Sequence, residues 1–147
     1  MQGIILFAAA DAVSFEQLVS VLASFGCVTR WETGSRVTVS DGDMLTVVSE
    51  RDFHTEDFDE EELQRVYDVL KCSLVREFDV EFRMSEMLRV REVLMALLRL
   101  GVFCLLNDFG LVASGAEIIV GTEKDSSWSW WDAEMLPGGK GEPEIAS

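Results

Sequence analysis

The chain has 147 residues, of which 48% are hydrophobic and 27% charged, and its formal net charge is −15. The hydrophobic fraction excludes a disordered acidic protein, and the length suits one domain with one core. A field of this sign repels nucleic-acid backbones and anionic membranes and attracts cationic partners. We therefore expect no direct contact with nucleic acid or membrane.

The first predicted elements are a strand and a helix. The run GIILFAAA (residues 3–10) is typical of a buried strand. Ser14 and Gln17 have the spacing of a capping box, so a helix is predicted to begin there, and Gly26 is predicted to end it. Because no basic residue precedes the N-terminal apolar run, we predict a strand rather than a signal peptide, and a cytoplasmic protein.

Three strands in a meander are predicted between residues 27 and 50. Thr33-Gly34 and Asp41-Gly42 are typical turn pairs that separate them. If the loop at Asp41-Gly42 has three residues, four apolar side chains of the second and third strands lie on one face. We therefore expect the pairing register that this loop length gives. These four residues are Val37, Val39, Leu45 and Val47.

The stretch ERDFHTEDFDEEEL (residues 50–63) contains the only histidine, His54, within a dense run of acids. Asp59 and Glu62 have capping-box spacing and predict a second helix over about residues 60–72. Acidic side chains in the first turn of a helix are favoured by its dipole. The acids that precede Asp59 have no such structural reason.

A strand and a long helix are predicted next. Residues 73–83 alternate between apolar and acidic side chains, which is typical of a strand with two different faces. The apolar members, expected on one face, are Leu74, Phe78, Val80 and Phe82. A strongly apolar helix is predicted from Ser85, as N-cap, to Leu100.

The remaining chain predicts a hairpin and a tail. Residues 102–114 indicate two strands joined by a turn in NDFG, and residues 116–121 form another short apolar segment. The fold class is therefore α+β, with an antiparallel-dominated sheet and about three helices packed on it. We expect one domain over residues 1–125 and a tryptophan-containing tail over residues 126–147 with a mobile end.

The cysteines and the histidine predict no metal or catalytic site. Cys27, Cys72 and Cys104 are widely spaced and odd in number, so we expect reduced, buried core residues rather than disulfides or a zinc site. His54 matches no metal-ligand spacing, and no nucleophile and base set is recognisable. We expect no enzyme activity, no cofactor and no metal.

Five acidic residues outside the helix caps are candidates for contact with a basic protein partner: Glu56, Asp57, Glu77, Asp79 and Glu81. The last three are alternate residues of the strand and are expected to face solvent together. A strongly negative face of this kind favours the approach of Lys and Arg side chains. The alternative, a solvated face without a partner, remains open.

The tail contains Trp128, Trp130 and Trp131 within four residues. Aromatic side chains are common anchors of protein interfaces, so Trp128 and Trp130 are candidate partner-binding residues. The alternative is that Trp128 or Trp131 folds back to cover the sheet.

The chain resembles the small acidic immunity proteins that neutralise bacterial polymorphic toxins. The likeness consists of the acidic segments ERDFHTEDFDEEE and EFDVEFR, and of LLNDFGLVASGAEII followed by WSWW, on an acidic α+β background. The resemblance implies an inhibitor that binds a basic toxin domain, such as a nuclease. It carries a role rather than particular residues, because that group shares no single motif.

Two alternatives from other classes stay open. One is an acidic secretion chaperone that binds an effector segment as a dimer, and exposed apolar surface on a strand or helix would favour it. The other is an enzyme or small-ligand-binding domain, which a deep pocket lined by polar groups would favour.

Overall fold

The computed structural model describes residues 2–42, 44–83 and 87–137. In chain order its elements are β1 (Gln2–Ala9), α1 (Phe15–Ala23), β2 (Val28–Thr33), β3 (Arg36–Asp41), β4 (Met44–Arg51), α2 (Glu60–Leu70), β5 (Val75–Arg83), α3 (Met87–Leu98), β6 (Phe103–Asn107), β7 (Val112–Ser114) and α4 (Gly115–Lys124). The strands form one antiparallel sheet in the order β2-β3-β4-β5-β1-β6-β7. The predicted α+β class in a single domain is confirmed, with four described helices instead of about three. No described helix has the length and apolarity needed to cross a membrane.

The sheet has two apolar faces. In β1, Leu6 and Ala8 belong to a large cluster with α1 and α3, and Phe7 between them belongs to a smaller cluster with α2. We call these sides the first face and the second face. On the second face, α2 lies across β1, β6 and β7.

Capping boxes begin three of the helices. The predicted pairs Ser14–Gln17 and Asp59–Glu62 are both present, each with its two reciprocal side-chain to backbone hydrogen bonds. A third pair, Ser114 with Glu117, begins α4. This helix includes the apolar segment 116–121, and its Ser-x-x-Glu spacing is the sequence signal that indicates it.

The predicted register of the second hairpin is wrong. Asp41 pairs with Met44, so the loop has two residues rather than three, and Gly42 adopts a φ of 59°. Two-residue hairpin loops favour positive φ, which glycine accepts without strain. Val37 therefore lies opposite Val48, and Val47 lies on the second face.

The bounds of two elements differ from those predicted. β5 begins at Val75, and Leu74 before it is largely exposed rather than on the apolar face of the strand. Residues Met87–Leu98 form α3, and the predicted N-cap Ser85 lies outside the described residues.

The core extends into the predicted tail. Trp130 is 0% exposed, Trp131 is also buried, and both belong to the large cluster on the first face. Asn107 at the end of β6 fixes this segment, because its Nδ2 donates hydrogen bonds to the carbonyl oxygens of Trp130 and Ala133. Residues 126–137 therefore pack as part of the domain, and the predicted mobile end lies in residues outside the description.

The three cysteines differ in exposure, which corrects the prediction that all are buried. Cys27 is exposed, Cys72 is half-buried and Cys104 is buried. The Cys27 thiol donates a hydrogen bond to Oδ1 of Asp41 at 3.1 Å, and that contact raises the pKa of Cys27. Burial raises the pKa of Cys104 to about 12.

Cys27 is expected to react first with a maleimide reagent in the native protein, and Cys104 only after unfolding. A thiol reacts as its exposed thiolate, and Cys104 is neither exposed nor easily ionised. Asp41→Asn should speed the labelling of Cys27, because it removes the charge that opposes the thiolate. Peptide mapping by mass spectrometry over time gives each rate, and equal native rates for Cys27 and Cys104 would contradict the structure.

Candidate protein-binding surface

The loop between β4 and α2 is fixed to the second face by three aromatic rings. Phe53 and Phe58 of the loop pack edge-on against Phe7 of β1, with ring centroids 5.8 and 5.3 Å away. Phe53 and Phe58 also stack on each other at 5.9 Å. Such pairs stabilise a conformation beyond the area that they bury. The loop is therefore held by its apolar side chains, and its charged side chains project outwards.

Six exposed carboxylates lie on this loop, at the start of α2 and on the second face of β5. We call them the acidic surface: Asp52, Glu56, Asp57, Glu60, Glu61 and Glu81. None of them forms an ion pair with another described residue. Glu60 and Glu61 benefit from the dipole of α2, a stabilisation that the other four lack.

Asp79 is held by an arginine from the next strand. Nη1 of Arg51 lies 3.2 Å from Oδ2 of Asp79, and the two residues are close because β4 and β5 are neighbours in the sheet. The other oxygen of Asp79, Oδ1, is buried and accepts no hydrogen bond from a described residue. A buried acceptor of this kind requires a donor.

Glu77 supplies that donor when it carries a proton. It is 5% exposed, and its burial is the main cause that raises its pKa from 4.5 to about 7. A hydrogen bond to Asp79 and the negative charges of Asp79 and Asp57 raise the pKa further, and Arg51 opposes them. Burial and the neighbouring carboxylates therefore both favour the protonated form of Glu77.

The prediction that three acids of this strand face solvent together is thus only partly right. Glu77, Asp79 and Glu81 do share the second face, but Glu77 is buried, Asp79 is half-buried and only Glu81 is exposed. The sequence does not show that residues near Asp57, twenty positions earlier, approach this strand and cover its first acid. The structure brings Asp57 and Glu77 together and leaves Glu81 further along β5.

The tryptophan candidates lie on the other side of the sheet. Trp131 packs edge-on against Phe82 on the first face, at 6.3 Å between ring centroids, and Trp130 is buried beside it. Trp130 is therefore a core residue and not an exposed anchor. Trp128 is half-buried, and its Nε1 donates a hydrogen bond to the carbonyl oxygen of Met135.

His54 is exposed in the same loop as the acidic surface. Among residues 2–42, 44–83 and 87–137, no group of three or more His, Cys, Asp or Glu side chains could hold a metal ion.

A groove of about 450 Å³ lies between α2 and α4, beside the start of β6. Arg65 and Glu117 both line it and form an ion pair with a distance of 3.0 Å between Nη2 and Oε1. These two charges neutralise each other, and the groove contains no residue of the acidic surface. Asp68 of α2 and Lys71 at its C-terminal cap also line the groove.

Comparisons of the chain with protein-family models, with curated proteins and with solved structures find no match in any of the three.

Proposed function

We propose that the chain is an inhibitor of the immunity-protein class, which binds a basic toxin domain through the acidic surface. The observation that carries this proposal is a set of exposed carboxylates that have no ion-pair partner in the described chain. Uncompensated like charges repel one another and do not stabilise a fold, so their use lies in contact with a cationic surface.

The anchored loop favours such contact. Binding costs free energy when flexible segments must become ordered, and a loop already fixed in position avoids much of that cost. Phe53 and Phe58 hold the backbone on the second face, so Asp52, Glu56 and Asp57 are presented in a defined arrangement. Carboxylates in fixed positions form strong charge-assisted hydrogen bonds with Lys and Arg. If Lys and Arg side chains line the active-site cleft of the toxin domain, the acidic surface bound over that cleft blocks the access of the toxin's substrate.

The proposed contact residues differ from those expected from sequence. Glu56, Asp57 and Glu81 remain, because all three are exposed. Asp79 contributes at the margin, since Arg51 already neutralises it in part. Glu77 and Trp130 are buried and are not part of the proposed contact.

Charge reversal in the loop, by Asp52→Lys, Glu56→Lys and Asp57→Lys together, is expected to slow association with a basic partner domain. At low salt we expect a loss of about tenfold or more in the association rate, because the steering field at the point of contact changes sign. The probe is the C-terminal domain of the protein encoded immediately upstream. Stopped-flow kinetics measures binding, and growth of cells that produce both proteins measures protection.

The matched control reverses three exposed acids outside the acidic surface, in the turn after β6 and in residues 126–137: Asp108→Lys, Asp132→Lys and Glu134→Lys. Both triple variants change the net charge equally, so only a local contact distinguishes them. Equal rates for the two variants would refute the acidic surface as the contact. If the wild-type chain neither bound the upstream domain nor protected the cells, the inhibitor proposal itself would fail.

A second candidate, an acidic secretion chaperone, has one observation in its favour. Val28 and Trp31 of the edge strand β2 are exposed apolar side chains. A chaperone would bind an unfolded effector segment, whereas an inhibitor binds a folded domain. Hydrogen exchange of the bound partner separates the two, because only a folded domain retains protected amides.

A further inference from the structure

The sheet has one long edge that no described element covers. Its two edge strands are β7, with three residues, and β2, with six residues that are all exposed. Native edge strands are usually protected by short length, by charged side chains (especially lysine), by proline or by bulges. β2 carries two charges of opposite sign, Arg30 and Glu32, and its pairing with β3 shifts between Trp31 and Thr33. The sequence of β2, VTRWET, has high strand propensity and contains neither lysine nor proline.

We propose that β2 pairs with β2 of a second copy of this chain, antiparallel, with Trp31 opposite Trp31. In this register Arg30 lies directly opposite Glu32 of the second copy, and Glu32 lies opposite Arg30, on the second face. On the first face the two Trp31 rings meet; each is 48% exposed in the single chain and packs edge-on against Phe15. The proposed dimer extends the sheet without a break.

Charge selects this register over its neighbours. Directly opposite residues point to the same face of the sheet. A shift that keeps every side chain on its own face must therefore move one strand past the other by two residues. One step in one direction places Arg30 opposite Arg30, and one step in the other places Glu32 opposite Glu32. Like charges directly opposite are unfavourable, and opposite charges are favourable. Only the register centred on Trp31 gives two pairs of opposite charge.

The side chains of β2 are arranged for these pairs. The pairing of β2 with β3 shifts between Trp31 and Thr33, and Glu32 lies at the shift. Its carboxylate is fixed on the second face by Nε of Arg36 at 2.9 Å and by the hydroxyl of Thr38 at 3.0 Å. Arg30 is held only by a 3.5 Å contact with the same carboxylate, and its side chain is 76% exposed. It is therefore available to a second copy.

The charge of this edge suits contact with a second copy of the chain better than the charge of the acidic surface does. The charged residues between positions 27 and 40 are Arg30, Glu32 and Arg36, so this segment is slightly positive in a chain with a net charge of −15. Two such chains therefore repel each other less along this edge than at their acidic surfaces. The two-fold axis is perpendicular to the sheet, so both acidic surfaces face the same side. In the proposed dimer the two copies of β5 are seven strand spacings apart, a distance of about 30–35 Å.

Analytical ultracentrifugation of the full chain over a wide concentration range tests the proposal. The wild-type chain is expected to associate to a dimer, and Arg30→Glu is expected to reduce the association constant by about tenfold or more. Glu32→Arg is expected to do the same. An equimolar mixture of the two variants should form a heterodimer, because each strand then meets only opposite charges.

Three results would overturn the proposal: a wild-type chain that stays monomeric, a single variant that dimerises as well as wild type, or a mixture of variants that stays monomeric. Circular dichroism confirms that each variant is folded. The dimer does not depend on the proposed function, because the loop variant with Asp52, Glu56 and Asp57 changed to Lys should still dimerise. Loss of binding and loss of dimerisation are thus separate failures.

Discussion

Trp130→Ala is expected to lower the free energy of unfolding by about 3–5 kcal/mol, the range found when a buried large aromatic side chain is removed. Trp130 is fully buried, and its ring packs edge-on against that of Trp131 with centroids 5.4 Å apart. The cavity left by alanine would lie at the junction of the tail with the sheet. Urea unfolding followed by circular dichroism measures the change.

Trp130→Phe provides the matched control. The indole Nε1 of Trp130 is buried without a hydrogen-bond partner among the described residues, and an unpaired buried donor is unfavourable. Phenylalanine removes that donor and keeps much of the ring, so its loss should be much smaller than that of alanine. A loss below about 1 kcal/mol for Trp130→Ala, as for a surface substitution, would return residues 126–137 to the status of a separate tail.

The elements that sequence predicts correctly have local signals. Ser14 with Gln17 and Asp59 with Glu62 begin helices because capping boxes need only residues three positions apart. The register of β3 with β4 has no such signal. Both faces of β4 are apolar, since Val47 and Val48 are both buried on opposite sides, so alternation cannot choose between the two registers.

The candidate site also has some features that local sequence predicts and others that depend on long-range packing. Alternation along β5 correctly places Glu77 and Glu81 on one face, opposite Phe78. The burial of Glu77 depends on a segment far away in the chain, because Phe53 and Phe58 bring the loop against β1. The burial of Trp130 likewise depends on long-range packing. Contacts between distant segments leave no periodic pattern, so neither could be predicted from the sequence.

Glu77→Gln is expected to stabilise the protein at about pH 8 and to have little effect at about pH 4. The pKa of Glu77 is about 7 in the folded protein and 4.5 without the fold. Between these values the folded state binds more protons than the unfolded state, so the stability of the wild type falls as pH rises through this window. Glutamine imitates the protonated acid and can donate to Asp79 at every pH.

The expected gain at about pH 8 is roughly 1–2 kcal/mol, less than the full shift implies, because solvent near the exposed Arg51 screens the interaction. Urea unfolding of both proteins over this pH range measures it. Glu81→Gln, on the same strand but exposed, is the control and should change stability little. If Glu77→Gln and wild type had parallel stability curves between about pH 4 and pH 8, the pKa of Glu77 would not be raised in the folded protein.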